Sequence, residues 1–175
     1  MKNETLDLRQ FIRDIPDFPK PGILFRDITP LLADAQALSC AIEVLAEPFR
    51  DAGIDVVAAV EARGFIFGSA VAKALGIGFV PVRKKGKLPF DTHSVSYGLE
   101  YGEDTVEVHT DAIASGNKVL MVDDLLATGG TMVAACELIE KLGAEITGLT
   151  FLIELADLKG REELGQYDIH TVITY

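Results

Sequence analysis

Two adjacent acidic residues, followed by a turn of small residues, form the segment of this chain best suited to chemistry. Residues 119–131 read Val-Leu-Met-Val-Asp-Asp-Leu-Leu-Ala-Thr-Gly-Gly-Thr. Because a carboxylate accepts hydrogen bonds from a vicinal diol, Asp123 and Asp124 suit the hydroxyls of a sugar. The turn precedes a predicted helix, whose first N–H groups stabilise a phosphate. This turn consists of Ala127, Thr128, Gly129, Gly130 and Thr131. The segment therefore predicts a site for a phosphorylated sugar with free hydroxyls.

The same segment also fits an ordinary strand, turn and helix, because Asp, Thr and Gly are common in such turns. A Walker A loop is excluded, since no Gly-Lys-Ser or Gly-Lys-Thr follows. A dinucleotide-binding fingerprint is excluded as well, because the acids precede the glycines. The whole string is more specific than its turn alone, and it favours the ligand site.

Cations that would balance a polyanionic ligand occur in two places. Arg63 stands in the turn Glu61-Ala62-Arg63-Gly64, which follows an apolar run and offers a second anion site or simply a surface arginine. The second place is a basic run, which predicts either a polyanion clamp or a solvated edge. This run contains Arg83, Lys84, Lys85 and Lys87.

The composition limits the class of protein and its partners. The 175 residues suffice for one domain, which we expect to span 1–175, with an arm and hood at 1–30. A net charge of −11 makes the chain a poor general binder of nucleic acid or of an anionic membrane. No stretch reads as a transmembrane helix or signal peptide, so a cytoplasmic location is expected. Cys40 and Cys136 are predicted to be buried thiols.

Hydrophobic patterning predicts an α/β protein with a mostly parallel central sheet of about five strands, flanked by helices. A small N-terminal hood precedes it, because the prolines within 16–30 oppose a regular element there. The predicted helices cover 5–14, 36–51, 65–75, 131–142 and 159–164. The predicted strands cover 56–60, 79–82, 105–109, 119–122, 146–154 and 168–173.

Residues 86–105 are rich in small and polar residues and predict a long flexible loop or ribbon. A segment of this length within a domain is more often functional than idle. It contains Glu100 between Tyr97 and Tyr101, and this carboxylate would be able to close over a substrate and exchange a proton with it. On residue type alone, an exposed loop acid explains Glu100 better.

The segment 119–131 resembles the motif with which type I phosphoribosyltransferases bind 5-phosphoribosyl 1-pyrophosphate (PRPP). Four further segments, at 17–30, 61–68, 83–89 and 96–102, are similar to the adenine-specific branch of that family. The resemblance implies the type I phosphoribosyltransferase fold and conversion of adenine and PRPP to AMP and pyrophosphate, a purine salvage reaction. It also implies a homodimer, and Mg²⁺ that arrives with PRPP and is not held directly by protein side chains.

The resemblance also implies roles for individual residues. Asp123 and Asp124 would hold the ribose, and the turn after them the 5′-phosphate. Glu100 would exchange a proton at N7 of the base, with Arg63 as the second catalytic residue and Tyr101 in the same loop. The implied adenine-binding residues are Leu24, Phe25, Arg26 and Leu125. The implied pyrophosphate-binding residues are Arg63, Arg83, Lys84 and Lys87.

Two other functions stay open at this point. One is transfer to another purine such as xanthine, because base choice depends on a few backbone contacts that a sequence shows poorly. The other is a PRPP-binding regulator without enzymatic activity. Such regulators usually carry an additional DNA-binding domain, and the acidic charge balance argues against contact with DNA.

Overall fold

The computed structural model describes residues 6–99 and 102–175, without the side chain of Leu99. The strands are β1 (Arg13–Pro16), β2 (Leu24–Asp27), β3 (Val56–Val60), β4 (Gly78–Lys84), β5 (Thr92–Leu99), β6 (Gly102–His109), β7 (Lys118–Leu126), β8 (Glu145–Glu154) and β9 (Ile169–Thr174). The α-helices are α1 (Thr29–Ala33), α2 (Ala35–Ala46), α3 (Gly64–Leu75), α4 (Gly130–Lys141) and α5 (Gly160–Glu163). Short 3-10 helices cover Leu8–Phe11, Glu47–Phe49 and Ala156–Leu158.

A 7-stranded sheet in the order β5-β6-β4-β3-β7-β8-β9 forms the centre of the fold. Its five strands from β4 to β9 run parallel, which confirms the predicted mostly parallel sheet. The other two form an antiparallel ribbon that joins β4 through the pairs Arg83↔Glu107 and Lys84↔Val106. The sheet is therefore wider than predicted, by the ribbon at one edge.

Two hydrophobic cores lie on opposite faces of this sheet. Along β3, Ala58 and Val60 belong to one core, while Val57 and Ala59 belong to the other, as the two-residue repeat of a strand requires. Helix α4 packs into the first core, and helices α2 and α3 pack into the second. Both faces of the parallel strands are covered, which explains their continuous apolar runs.

The prediction of a helix over 5–14 is wrong. Only Leu8–Phe11 forms a 3-10 turn, and Arg13–Pro16 is a strand paired antiparallel with Leu24–Asp27. The predicted irregular stretch over 16–30 was also too broad, because it includes β2 and the start of α1. Proline is tolerated at the end of an edge strand and in the first turn of a helix, so the prolines here limit the elements without preventing them.

Within 86–105, the structure shows the ribbon and not the loop, with β5 and β6 paired from Thr92↔His109 to Leu99↔Gly102. The flexibility of this segment stays a prediction. Glu100 and Tyr101 lie outside the described residues.

Across the described part of the chain, no helix is both long and apolar enough to span a membrane. Both cysteines are free, and Cys136 is buried while Cys40 is partly buried. Burial raises the pKa of the Cys136 thiol to about 12, so this residue is an inert packing element.

Candidate active site

A cavity of about 400 Å³ opens at the carboxyl end of the parallel strands. Its lining comes from the end of β3 and the turn after it, from the last residue of β4, and from the end of β7 through the first residues of α4. The sequence-predicted residues among its walls are Arg63, Lys84, Asp123, Asp124, Leu125, Ala127, Thr128, Gly129, Gly130 and Thr131. The two segments singled out by their sequence motifs therefore meet around one space.

The sheet itself places the acidic pair at this edge. Strand β7 is longer than the predicted 119–122, because β8 continues to pair with it as far as Leu126. On its other side, the pairing with β3 stops at Ala59↔Val122. Asp123 and Asp124 therefore emerge where β3 ends, which is the edge at which open α/β sheets bind ligands.

The two carboxylates lie in a crowded environment with one cation. Asp124 is 5 % exposed, and its Oδ2 lies 2.9 Å from Nε of Arg63. The backbone N–H of Asp124 donates to Oδ1 of Asp123 at 2.8 Å. Burial raises the pKa of Asp123 well above its ordinary value, and the charge of Asp124 adds to this shift. Burial also raises the pKa of Asp124, although Arg63 opposes the shift. The pair thus favours a ligand that donates hydrogen bonds to it.

Gly64, the first residue of α3, allows the acidic pair to approach that helix. A Cβ atom at Gly64 would lie 2.7 Å from Oδ1 of Asp123, closer than van der Waals contact permits. A side chain at position 64 would therefore displace the Asp123 carboxylate. The turn between β3 and α3 also contains a cis peptide bond between Glu61 and Ala62.

Residues 127–131, which the sequence predicts to bind a phosphate and which we call the phosphate loop, also depend on glycine. Gly129 is the N-cap of α4 and has a φ of +87°, a conformation that side chains rarely adopt. Because glycine has no side chain that could accept hydrogen bonds from the first N–H groups of α4, these donors are available to an anion. Gly160 at the start of α5 backs this loop, since a Cβ there would lie 2.2 Å from the carbonyl oxygen of Ala127.

The basic run divides between two environments. Lys84 lines the cavity, and its ammonium donates to the hydroxyl of Tyr97 at 2.9 Å and pairs with Asp104. Arg83 instead contacts Glu61 and the carbonyl oxygen of Lys87, and neither Arg83 nor Lys87 lines the cavity. Neighbouring residues of a strand point to opposite faces, which separates Lys84 from Arg83. Pyrophosphate contacts from Arg83 and Lys87 stay predictions.

The hood residues stand beside the cavity and are not part of its wall. The guanidinium of Arg63 lies over the ring of Phe25, with its Cζ atom 5.5 Å from the ring centroid. The Phe25 ring also packs edge-on against Phe18. Arg26 stacks on Tyr175 at 3.7 Å and pairs with Asp14. Leu24 is 44 % exposed. Through Phe25 and Arg63 the hood contacts the acidic pair, while adenine contacts from Leu24, Phe25 and Arg26 stay predictions.

Sequence reasoning missed four residues that shape this site. Glu61 was seen only as part of a turn, although it lines the cavity and accepts from the backbone N–H of Lys84. In the sequence, Tyr97 stands out only as a neighbour of Glu100. Gly160 and Tyr175 belong to no recognisable motif. Their contacts join segments far apart in the chain, and no local pattern reports such contacts.

Comparison with known proteins gives a consistent result. The family model described as "Phosphoribosyl transferase domain" matches residues 31–173. The adenine phosphoribosyltransferase of Rhodopirellula baltica is 59 % identical over 172 residues, which are 98 % of this chain and 84 % of that protein. The adenine phosphoribosyltransferase of Halothermothrix orenii is 58 % identical over 168 residues, which are 96 % of this chain and 99 % of that protein.

Solved structures agree with this similarity. The adenine phosphoribosyltransferase of Thermoanaerobacter pseudethanolicus matches with a TM-score of 0.93 and 52 % identity, covering 96 % of this chain and 98 % of that one. The enzyme of Saccharomyces cerevisiae, complexed with adenine and an imino-altritol bisphosphate, matches with a TM-score of 0.90 and 41 % identity. That match covers 94 % of this chain and 96 % of the yeast chain.

Proposed function

This chain belongs to the phosphoribosyl transferase family, among the adenine phosphoribosyltransferases, and we propose that it transfers the 5-phosphoribosyl group from PRPP to adenine. The products are AMP and pyrophosphate, so the reaction salvages a free purine base. The observation that carries the proposal is the single cavity in which the acidic pair, the phosphate loop, Arg63 and Lys84 meet. This set matches the hydroxyls, the 5′-phosphate and the pyrophosphate of one substrate.

In this reaction the protein must position the two substrates and balance the charge of the leaving pyrophosphate. Nitrogen N9 of adenine attacks C1 of the ribose, the bond to pyrophosphate breaks, and the configuration inverts through an oxocarbenium-like state. No protein nucleophile is required. The phosphate loop anchors the 5′ end of the sugar, while Arg63 and Lys84 balance the charge of the leaving pyrophosphate.

The acidic pair would orient the ribose. Its 2′ and 3′ hydroxyls donate to Asp123 and Asp124, which replaces the water that burial has removed from these carboxylates. The ion pair between Arg63 and Asp124 links this ribose contact to the pyrophosphate side of the cavity. A ribose in this position presents C1 toward the hood, where the base would enter.

Mg²⁺ is proposed as the cofactor and is expected to enter with PRPP. No group of three or more His, Cys, Asp or Glu suited to a metal occurs among residues 6–99 and 102–175. The carboxylates of Asp123 and Asp124 nevertheless offer the oxygen ligands that Mg²⁺ prefers, and this donor set fits an ion held mainly by substrate and water. When bound, the ion neutralises charge on the pyrophosphate.

Glu100 is proposed as the group that exchanges a proton at N7 of adenine, with Tyr101 next to it in the sequence. Replacing Glu100 by Leu should lower kcat by about a hundredfold, the usual contribution of a general acid. Its effect on PRPP affinity should be small, because the phosphate and ribose contacts stay in place. A kcat equal to that of the unmodified protein would remove this role.

A homodimer and a cytoplasmic location complete the proposal. The dimer is what the resemblance to type I phosphoribosyltransferases implies, and exposed apolar side chains such as Ile66, which is 40 % exposed, are compatible with an interface. Support for the location comes from the two unpaired cysteines, which suit a reducing compartment. Analytical ultracentrifugation would test the dimer, since a single species at the monomer mass of 18.9 kDa would contradict it.

The test of the function is an assay of base specificity. The protein is incubated with PRPP and Mg²⁺, together with adenine, guanine, hypoxanthine or xanthine, and the nucleotide formed is identified. We expect AMP from adenine and at least a hundredfold less product from the other bases. Preferential turnover of xanthine would support the alternative purine transferase, and PRPP binding without turnover of any base would support a regulator.

A further inference from the structure

The hydroxyl of Tyr97 contacts three groups that come from different parts of the molecule. Nζ of Lys84 on β4 donates to it at 2.9 Å, and Oγ1 of Thr131 in the phosphate loop donates to it at 3.2 Å. The hydroxyl itself donates to Oδ2 of Asp104 on β6 at 3.1 Å. One donor and two acceptors are all that a phenol provides, so the capacity of this hydroxyl is fully used.

Two of these partners, Lys84 and Thr131, line the cavity, whereas Tyr97 does not. In the proposed function, which this inference assumes, Thr131 belongs to the loop for the 5′-phosphate and Lys84 serves the pyrophosphate. These are opposite ends of PRPP. Tyr97 is therefore the shared partner of the residues that would grip the two ends of one substrate.

Asp104 completes the arrangement by fixing the ammonium of Lys84. The two form an ion pair, and both are partly buried. Burial opposes the charged form of Lys84, but hydrogen bonds to Asp104 and Tyr97 outweigh it and raise the pKa of the ammonium. Lys84 stays charged, and of its three donors two are occupied by Asp104 and Tyr97, which leaves one for a ligand oxygen.

The same contacts hold the ribbon against the phosphate loop. Strand β6 joins the parallel sheet through the pairs Arg83↔Glu107 and Lys84↔Val106 and a hydrogen bond from the backbone N–H of Lys85 to the carbonyl oxygen of Thr105. Tyr97 on β5 adds the link to Thr131, and its ring lies 3.9 Å from the position of a Cβ at Gly130. In the sequence, Glu100 follows Tyr97 by three positions.

We propose that Tyr97 is a positioning residue for PRPP, which joins the phosphate loop to Lys84 and so makes the grip on the 5′-phosphate and the grip on the pyrophosphate depend on each other. It acts through Thr131 and Lys84 and does not itself touch the substrate.

The test is the variant Tyr97→Phe, which removes the hydroxyl and keeps the ring. Tyr167→Phe is the matched control, because the Tyr167 hydroxyl also donates to one side chain, Glu140 at 2.8 Å, but lies away from the cavity. Affinities for PRPP and for pyrophosphate are measured by calorimetry in the presence of Mg²⁺, KM for adenine by initial rates, and Tm by scanning calorimetry.

For Tyr97→Phe we expect affinities for PRPP and pyrophosphate to fall about five- to twentyfold, the effect of losing one or two hydrogen bonds to polar partners. KM for adenine should stay within about twofold of the wild type, and Tm should match that of Tyr167→Phe. A PRPP affinity within twofold of the wild type would overturn the proposal. Equal losses for adenine and PRPP with a lowered Tm would also overturn it, because they would indicate a packing role.

A second background tests the link to Lys84. In a Lys84→Met protein no ammonium remains to be held, so adding Tyr97→Phe should reduce PRPP affinity by a smaller factor than in the wild type. The same factor in both backgrounds would contradict the link. If the unmodified protein binds PRPP but forms no AMP, the proposed function fails while these binding measurements still decide the role of Tyr97.

Discussion

At the scale of single residues, the acidic pair carries an energetic cost that its function requires. Asp123 and Asp124 are adjacent carboxylates, and one cation, Arg63, lies against Asp124. Burial raises the pKa of both groups, and for Asp123 the charge of Asp124 adds to the shift. Above these raised values, the folded protein holds two charges that the unfolded chain would hold in water at lower cost.

Replacing Asp123 by Asn should therefore stabilise the free protein while weakening PRPP binding. Because its pKa is raised, Asp123 binds a proton more tightly in the folded state than in the unfolded state. The free energy of unfolding therefore falls as the pH rises through the raised pKa. At neutral pH, Asp123→Asn should have a higher Tm than the wild type, and the difference should shrink as the pH falls. Thermal unfolding at several pH values measures this.

Asp111→Asn is the control, since Asp111 lies in an exposed turn. It should change Tm little at any pH. A Tm for Asp123→Asn that is no higher than that of this control at neutral pH would contradict the cost assigned to the acidic pair.

The sequence predicted residues of this site where residue type and local order were sufficient. Asp123, Asp124 and the loop from Ala127 follow one another in the chain, and the cavity contains all of them. The predicted strand before them and the predicted helix after them were enough to place them together. The sequence does not show which of Lys84 and Arg83 faces the cavity, because it does not show which face of the strand the core covers. Only the folded sheet shows that Lys84 lines the cavity.

At the scale of elements, the phosphate loop depends on a second glycine outside its own motif. Gly160, at the start of α5, lies so close to the loop that a Cβ would meet the carbonyl oxygen of Ala127 at 2.2 Å and the backbone nitrogen of Gly129 at 3.0 Å. These are backbone atoms, which cannot rotate away. The contact joins the loop after β7 to the segment after β8.

Gly160→Ala should displace the phosphate loop and weaken PRPP binding by about tenfold or more, with some loss of stability from overpacking. Gly165→Ala is the control, because its nearest contact would be an ordinary 3.5 Å. Calorimetric titration with PRPP gives the comparison. The same PRPP affinity in both variants would mean that the loop does not need this support.

The hood is the element that the sequence described least well. The alternating charged and apolar residues of the first segment predict a helix, but Arg13–Pro16 pairs with a strand that begins at Leu24. This pairing, and the stacking of Arg26 on Tyr175, join parts of the chain that are distant in sequence. Such contacts override a weak local preference.

Tyr175→Ala should loosen the hood and therefore raise KM for adenine by about three- to tenfold, the range of a cation–π contact, while KM for PRPP stays unchanged. Tyr175→Phe keeps the ring below the Arg26 guanidinium and should behave as the wild type. Initial rates with each substrate varied in turn provide the two constants. An increase in both KM values, or none in that for adenine, would argue against this role of the hood.

At the scale of the whole molecule, the fold class and the family were both predicted correctly, because long apolar runs and specific motifs carry that information. The sequence allows either a loop or a ribbon over 86–105, because few large apolar side chains, such as Val95 and Tyr97, mark the inner face of β5. Although the chain has a net charge of −11, the cations Arg63 and Lys84 both line the same cavity. Only the folded chain brings these two residues together.

The most direct test of the central claim is a crystal structure of the protein soaked with PRPP and Mg²⁺. We predict density for the ribose hydroxyls against Asp123 and Asp124, for the 5′-phosphate against the backbone of the loop from Ala127 to Thr131, and for the pyrophosphate beside Arg63 and Lys84. PRPP bound elsewhere, with this cavity unchanged, would contradict the account.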